Sequence, residues 1–393
     1  MSERTSFLNE LRQRLTVSGL KAAPLRIYIG LIFFLWLVMA PTLGQMDTLA
    51  MLQWTTALFF VMFVISWDFV VGYTGQVSFG HTLFFAAGGY TTAILNLEFG
   101  IDPLLGVLIG TIVATVAGLL YAIPALRIEG HYLALFTLLP PIILLSIFTM
   151  YRDFTGGSRG LPNPDPLFDR GGFVENAEIH YYITVALFIG IFMLAWIITR
   201  SDTGKIFTAI RESEDAVSSA GFNPAKFKVY SMLMSAGIGG FAGAVFVHTP
   251  GGSASPTQLL ELVVMIEILL AAIIGGFGTI TGAVVGGLLI YWGLEYFAGS
   301  GVMIPGTDVA VGDVHLLLFF SVLLVVLYVL AEGVVPWSIR QGTRIKLLAR
   351  GEDPSQVDGS DGNPWFERQL AGIWQRRTGN NTATLDETGG KDE

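Results

Sequence analysis

Residues 72–81 read GYTGQVSFGH and fall inside a long apolar tract. Three glycines loosen the backbone there, while Gln76, Ser78 and His81 bring an amide, a hydroxyl and an imidazole. Away from water each of these groups needs a hydrogen-bond partner. That partner is either a neighbouring helix, which makes the stretch structural glue, or a cargo in transit. Proton transfer is the other chemistry open to buried polar groups, and it needs several ionisable side chains along one path. The ionisable residues inside apolar tracts are Asp68, His81, Glu261, Glu267, Glu295 and His315. They are spread over five tracts and form no chain visible in the sequence. Glu267 is the most deeply placed, within LLELVVMIEILLAAIIGG, and such a residue ordinarily faces a cavity or a partner.

The elements that position these residues follow from hydropathy. The 393-residue chain is 52% hydrophobic and 13% charged, against about 25% charged in soluble domains. Its mean hydropathy is +0.62. Apolar runs of about 20 residues, enough for a ~30 Å hydrocarbon core, recur along it. We place ten spans at roughly 27–44, 49–71, 77–97, 101–124, 131–150, 180–199, 227–249, 258–276, 280–298 and 313–335. The fold class is all-α, polytopic and membrane-embedded. An even count puts both termini on one side. If that side is cytoplasmic, 19 of the 22 basic residues face inward and only Arg152, Arg159 and Arg170 face outward, as the positive-inside rule requires.

The organisation is then a cytoplasmic segment 1–26, a transmembrane domain 27–335 and an acidic cytoplasmic tail 336–393. An external loop covers 151–179 and a cytoplasmic loop 200–226. The tail stretch NPWFERQLAGIWQRR has near-helical apolar spacing and reads as an interfacial helix or as loosely ordered chain. There is no cysteine, and no histidine pair has metal-ligand spacing, so neither a metal nor a cofactor is expected. Nucleic acid is not an expected partner.

Length arithmetic singles out the opening stretch again. Leu83 to Leu97 is too short to span alone, so the residues before it must supply membrane depth. Leu259–Ile274 and Ala283–Ala298 are likewise short and flank GGFGTITG, 275–282. A glycine-interrupted pair in each half points to a pathway built on an internal repeat. Tight turns and close helix packing are the plainer explanation of the same glycines. The double proline Pro140-Pro141 is expected to kink its span.

On the cytoplasmic side, residues 201–228 predict an amphipathic helix of about four turns over 205–220. Ile206, Phe207, Ile210 and Val217 form its apolar face, Glu214 and Asp215 lie on the polar side, and Gly221 is the stop. It either packs on its own protein or docks in a partner's groove. The chain has no GxxxxGK[ST] phosphate loop, so any ATPase has to be another subunit.

Several blocks taken together resemble LivM-type permeases of branched-chain amino acid ABC transporters. They are GYTGQVSFGHTLFFAAGGYTTAIL (72–95), LRIEGHYLALFTL (126–138), TGGSRGL (155–161), AIRESEDAVSSAGFNPAKFK (209–228) and IEILLAAIIGGFGTITGAVVGGLLI (266–290). The resemblance implies a plasma-membrane importer subunit that is not itself an enzyme. Its partners would be two ATP-binding cassette subunits, a second permease (homologous or identical) and an extracytoplasmic substrate-binding protein. It also implies ATPase coupling in the 200–226 loop. There Asp215-Ala216-Val217 with Gly221 is a degenerate match to E-A-A-x-x-x-G. The expected pathway residues are Gly75, Gln76, Ser78, His81 and Glu267. Ile206, Phe207, Ile210, Glu214, Asp215, Ala216 and Gly221 are the expected coupling residues. Urea, amide or sugar cargo on the same machinery, or an ion-gradient-driven secondary transporter, are the alternatives.

Overall fold

The computed structural model describes residues 25–128, 131–161, 164–299, 311–330 and 333–350. Among them there is no strand. In chain order the main helices are α1 (Leu25–Met39), α2 (Thr48–Thr74), α3 (Thr82–Phe99), α4 (Pro103–Ala125), α5 (His131–Met150) and α6 (Phe173–Arg200). They continue as α7 (Asp202–Glu212), α8 (Glu214–Ser219), α9 (Pro224–Phe246), α10 (Leu262–Gly275), α11 (Ile280–Ala298), α12 (His315–Val329) and α13 (Val334–Arg350). Eight helical stretches among the described residues are long and apolar enough to cross a membrane, α10 counting with the turn before it as Pro256–Gly275 and α12 as Val311–Tyr328. The shorter α1 and the glycine- and threonine-bearing α3 fill the two remaining expected spans, so all ten occur in the expected order. The chain is a multi-pass membrane protein.

Some boundaries differ from the sequence expectation. The span expected from residue 180 starts at Phe173 and runs 28 residues, so the loop expected over 151–179 ends earlier than 179. Asn176 and Asp169 fix that start: Asp169 accepts from the Gly171 N–H at 2.8 Å and from Asn176 Nδ2 at 2.9 Å. Helix α5 is continuous through Pro140 and Pro141. Helix α12 ends at Val329 and α13 starts at Val334, so the segment after 335 begins in a helix. Residues 1–24 and the 363–377 stretch lie outside the described residues.

Helix α2 is the hub. It packs against α6, α9, α10, α11 and α7, and from Ala57 to Gly72 all but Phe60 are buried. It is apolar all round, as a helix enclosed on every side must be. On one flank α3, α4 and α9 approach through small residues. A methyl group on Gly88 would lie 2.0 Å from Gly240 O, and one on Gly240 would lie 2.1 Å from Ala114 Cβ. Lipid offers apolar contact equal to a side chain's, so close backbone approach is the packing gain available between such helices.

At the end holding residues 151–172, a loop clasp joins α3, α9 and the loop. Asn96 donates to Asp165 Oδ2 at 3.1 Å and accepts from the Asp165 N–H at 2.9 Å. His248 is buried, with Nδ1 2.6 Å from Asp165 O and Nε2 2.8 Å from Thr92 Oγ1. The carbonyl can only accept, so Nδ1 carries a proton. Burial pushes the imidazole below its ordinary value and outweighs the Asp165 carbonyl and the Asp165 and Asp102 carboxylates, which push the other way.

Two expectations follow. Gly240→Val should cost about 1–3 kcal/mol by overpacking in detergent unfolding, while Gly190→Ala, with nothing within 4 Å of the added methyl, should be near neutral. For His248, the unfolded ring takes a proton below a pH of about 6.5, whereas the folded ring resists it. Its stabilising contribution is therefore present above that pH and lost as pH falls. Amide exchange at Leu161 and Leu167, corrected for intrinsic rates, should quicken between pH 7.5 and 5.5.

Candidate functional site

Both glycine breaks lie at the end of the bundle opposite the 151–172 loop. This follows from helix alternation: α2 and α10 run toward that end, and α3 and α11 start from it. The α7–α8 pair lies at the same end, because α6 delivers the chain there.

Helix α2 continues through Gly72, Tyr73 and Thr74 and is capped by Gly75 in the left-handed region (φ 73°). At 27 residues it is about 40 Å long. The break proper is therefore 75–81, shorter than the sequence stretch suggested. It folds back along α2, since Trp67 Nε1 donates to Ser78 O at 2.9 Å. Helix α3 then begins at depth, and its 18 residues, three more than the apolar count gave, cover about 27 Å.

The polar groups of this break are bound to neighbouring helices. The Phe79 N–H donates to Thr137 Oγ1 at 3.0 Å, and Tyr121 donates its hydroxyl to Thr137 O at 2.9 Å. Ser78 Oγ lies 3.4 Å from Tyr121 Oη and 3.1 Å from His81 Nδ1, and it accepts from the Gly80 N–H at 3.3 Å. A methyl group on Gly80 would sit 1.9 Å from the Tyr121 hydroxyl, so this position admits only glycine. Ser78 and His81 are buried to 1% and 0% exposure, and Gln76 to 7%. Gln76 Oε1, His81 Nε2 and Thr82 Oγ1 are buried without a hydrogen-bond partner. Gly75 is exposed. Beside the break, Phe79, Thr82, Pro141, Leu145, Leu260 and Met265 line a mostly apolar niche between α3, α5 and α10.

Glu267 is not brought to this cluster. It is half-buried on α10, two residues beyond the niche-lining Met265 and so turned about 200° from it. Glu295 accepts from Gln53 Nε2 at 2.9 Å, which ties α11 to α2 at the far end rather than placing it on a relay.

The second break, 276–279, is compact. Gly276 and Gly278 have φ of 122° and 70°. Thr279 donates to Gly276 O at 2.7 Å and accepts from the Gly282 N–H at 3.1 Å, which caps α11. The Gly278 N–H donates to Asp68 Oδ1 at 2.9 Å, joining this break to α2.

The single amphipathic helix expected over 205–220 is two helices. Ser213 is extended (φ −162°, ψ 108°), and its Oγ accepts from the Ala216 N–H at 3.3 Å. Ser, like Asp and Asn, competes for backbone donors and starts helices readily. Glu214 and Asp215 then occupy a first turn, where the helix dipole favours acids. Phe207 and Ile210 are buried at 0% and 4%, and Phe207 packs on Phe227 and Tyr230, so these two side chains do not face a partner's groove. Ile206 is half-buried, and Glu214 pairs with Lys228 on α9. What α8 leaves open is Asp215, Ala216, Ser218, Ser219 and the stop at Gly221. At the stop, the Gly221 N–H reaches Ser218 O and the Phe222 N–H reaches Val217 O, a Schellman end. Lys205 beside the exposed Asp202 holds that carboxyl below its usual range.

A family model described as the branched-chain amino acid transport system permease component matches residues 51–331. The chain belongs to this family. This permease is 26% identical over 259 residues to the high-affinity branched-chain amino acid transport system permease protein LivM of Escherichia coli (strain K12), covering 60% of each chain. It is 28% identical over 248 residues to the LivM of Salmonella typhimurium, covering 57% of this permease and 58% of that protein. The match therefore spans about 60% of the length of these relatives. No solved structure matches the permease.

Sequence reasoning missed Tyr121, Thr137 and Gly278 as break partners, and the reach of Arg211, whose Nη1 donates to Gly72 O at 2.7 Å. The available signal was Asp68, an acid one turn before a glycine in an otherwise apolar helix. Tyr121→Phe should cost about 1 kcal/mol through the lost hydrogen bond and speed amide exchange at 79–81, whereas Val77→Ala, at an exposed position, should leave both unchanged.

Proposed function

We propose that this chain is the transmembrane permease subunit of an ATP-driven ABC importer for branched-chain or related amino acids. The observation that carries the reading is the family match across 51–331. The accessible α8 surface at the same end as both breaks agrees with it. Two ATP-binding cassette subunits would sit at that end. A second permease subunit would complete the pathway, and an extracytoplasmic binding protein would deliver cargo. In this reading the α7–α8 side, where the basic residues crowd, is the cytoplasmic one, with both termini on it.

In this reading the docking surface is α8, with Asp215, Ala216 and Gly221 at its face. Phe207 and Ile210 act from beneath, by anchoring α7 to α9, and Ile206 and Glu214 hold the pair in register. Gly75, Gln76, Ser78 and His81 shape the pathway wall, and the niche beside Phe79 and Thr82 suits an apolar side chain. Glu267 faces the second permease or a cavity between the two.

The test is purification of the tagged chain in mild detergent with mass spectrometry of what accompanies it, followed by uptake in proteoliposomes. An ATP-binding cassette protein should co-purify, and Ala216→Arg should weaken its retention by about tenfold or more, the loss produced by roughly 1.4 kcal/mol. Leucine should compete for uptake, with urea and ribose inert. Competition by urea or ribose would reassign the cargo. Uptake driven by an ion gradient without ATP would replace the reading with a secondary transporter.

A further inference from the structure

Arg211 lies across both breaks at once. Its Nη1 donates to Gly72 O at 2.7 Å. A methyl group on Gly278 would lie 2.5 Å from that nitrogen, and one on Gly75 would lie 3.1 Å from Arg211 Cγ. The stem therefore rests on the cap of α2, and the guanidinium rests between the end of α2 and the turn joining α10 to α11. Glycine is required along this track, because Gly75 and Gly278 both have positive φ and any side chain would displace the arginine.

The contact has a clear electrostatic basis. Gly72 O is one of the last carbonyls of α2 and has no intrahelical partner. The end of a helix carries partial negative charge, which a guanidinium complements. One turn inward, Asp68 gives Oδ1 to the Gly278 N–H, while Oδ2 is buried with no partner. Gly72 makes room for this, since a methyl there would overlap Asp68 Oδ1 at 1.9 Å. The guanidinium has five donors, of which Nη1 serves Gly72 and Nη2 reaches Glu212 Oε1 at 3.3 Å. A cation with spare donors thus stands within about one helical turn of a buried carboxylate oxygen that has none.

We propose that Arg211 and Asp68 form the coupling pair through which α7 acts on both glycine breaks. In the arrangement seen, Arg211 holds the α2 carbonyl and Asp68 holds the second break. When α7 shifts, the guanidinium passes from Gly72 O to the Asp68 carboxylate, a charge-assisted pairing that frees the end of α2 and releases Gly278. The pair works by positioning and touches no cargo. The proposal rests on the importer reading for the source of the shift, and on the geometry alone for the connection.

The test uses the full chain with its co-purifying ATPase in proteoliposomes, reading uptake and ATP hydrolysis separately. Arg211→Ala should lower uptake at least tenfold while more than half of the hydrolysis persists. Asp68→Asn retains an acceptor for the Gly278 N–H but replaces the charge and the second oxygen with an amide NH2 that cannot accept from a guanidinium, and it should uncouple in the same way. The double variant should be no worse than the worse single, because residues acting as one unit are not additive. Arg211→Lys should restore at least a third of uptake, and Glu212→Gln should behave as wild type.

Proportional loss of uptake and hydrolysis, multiplicative effects in the double variant, or unaltered uptake in both singles would overturn the pairing. Amide exchange on the detergent-purified chain supplies an arm independent of any ATPase. Arg211→Ala should speed exchange in both 72–80 and 275–281, and a change in one or neither overturns the connection. If wild type brings down no ATPase, the importer reading fails, and the exchange result still decides whether Arg211 joins the breaks.

Discussion

A helix interrupted where water is absent leaves backbone donors and acceptors that must be bonded within the protein. The arrangement of the permease around its two breaks follows from that requirement. At the first break Trp67, Thr137, Ser78 and Arg211 bond Ser78 O, Phe79 N–H, Gly80 N–H and Gly72 O in turn. At the second, Thr279 and Asp68 bond Gly276 O, Gly282 N–H and Gly278 N–H. These partners come from α2, α5 and α7 as well as from the breaks themselves. Satisfying the freed backbone therefore also binds together elements that are far apart in sequence.

The same requirement separates two roles for the polar residues of GYTGQVSFGH. Ser78 is committed to Gly80, His81 and Tyr121, and its burial leaves no open face. Gln76 Oε1 and His81 Nε2 are buried but unpaired. An unpaired buried polar atom is costly, so a rearrangement that pairs either one is favoured. Within the stretch the hydroxyl is the glue, while the amide oxygen and the second imidazole nitrogen are bonded to nothing among the described residues.

The sequence made the number, order and approximate limits of the spans legible, because hydropathy is local and each span carries its own signal. That a glycine-bearing break follows α2 and another follows α10 was legible for the same reason. How far α2 runs before the first break was not legible, because an apolar window cannot tell a helical glycine such as Gly72 from a capping one such as Gly75. Ser213 split α7 from α8 by a single serine hydroxyl, a signal too small to interrupt an amphipathic pattern. The burial of Phe207 and Ile210 could not be read at all. An apolar stripe on a short helix faces its own protein and a partner's groove with the same periodicity. Pairings such as Asp68 with Gly278, 210 residues apart, leave no local trace.

Helix α2 and the α10–α11 hairpin are joined at both ends. Asp68 meets Gly278 at one end, and Gln53 meets Glu295 at the other, where Trp54 also packs on Trp292 at 5.1 Å between ring centroids. While both attachments near opposite ends of this 27-residue helix are made, they hold it against sliding and swinging alike, and releasing the Asp68–Gly278 bond frees one end only. The α3–α4–α9 group meets that body largely through apolar contacts such as Phe63 on Phe85 and Phe59 on Phe246. Ser66 on Ser235 O is the buried polar exception. Apolar surfaces can shift past one another with little penalty, whereas buried hydrogen bonds cannot be broken cheaply. This face is thus held mainly by side-chain packing, and the first break is the chain segment that links α2 to α3 across it.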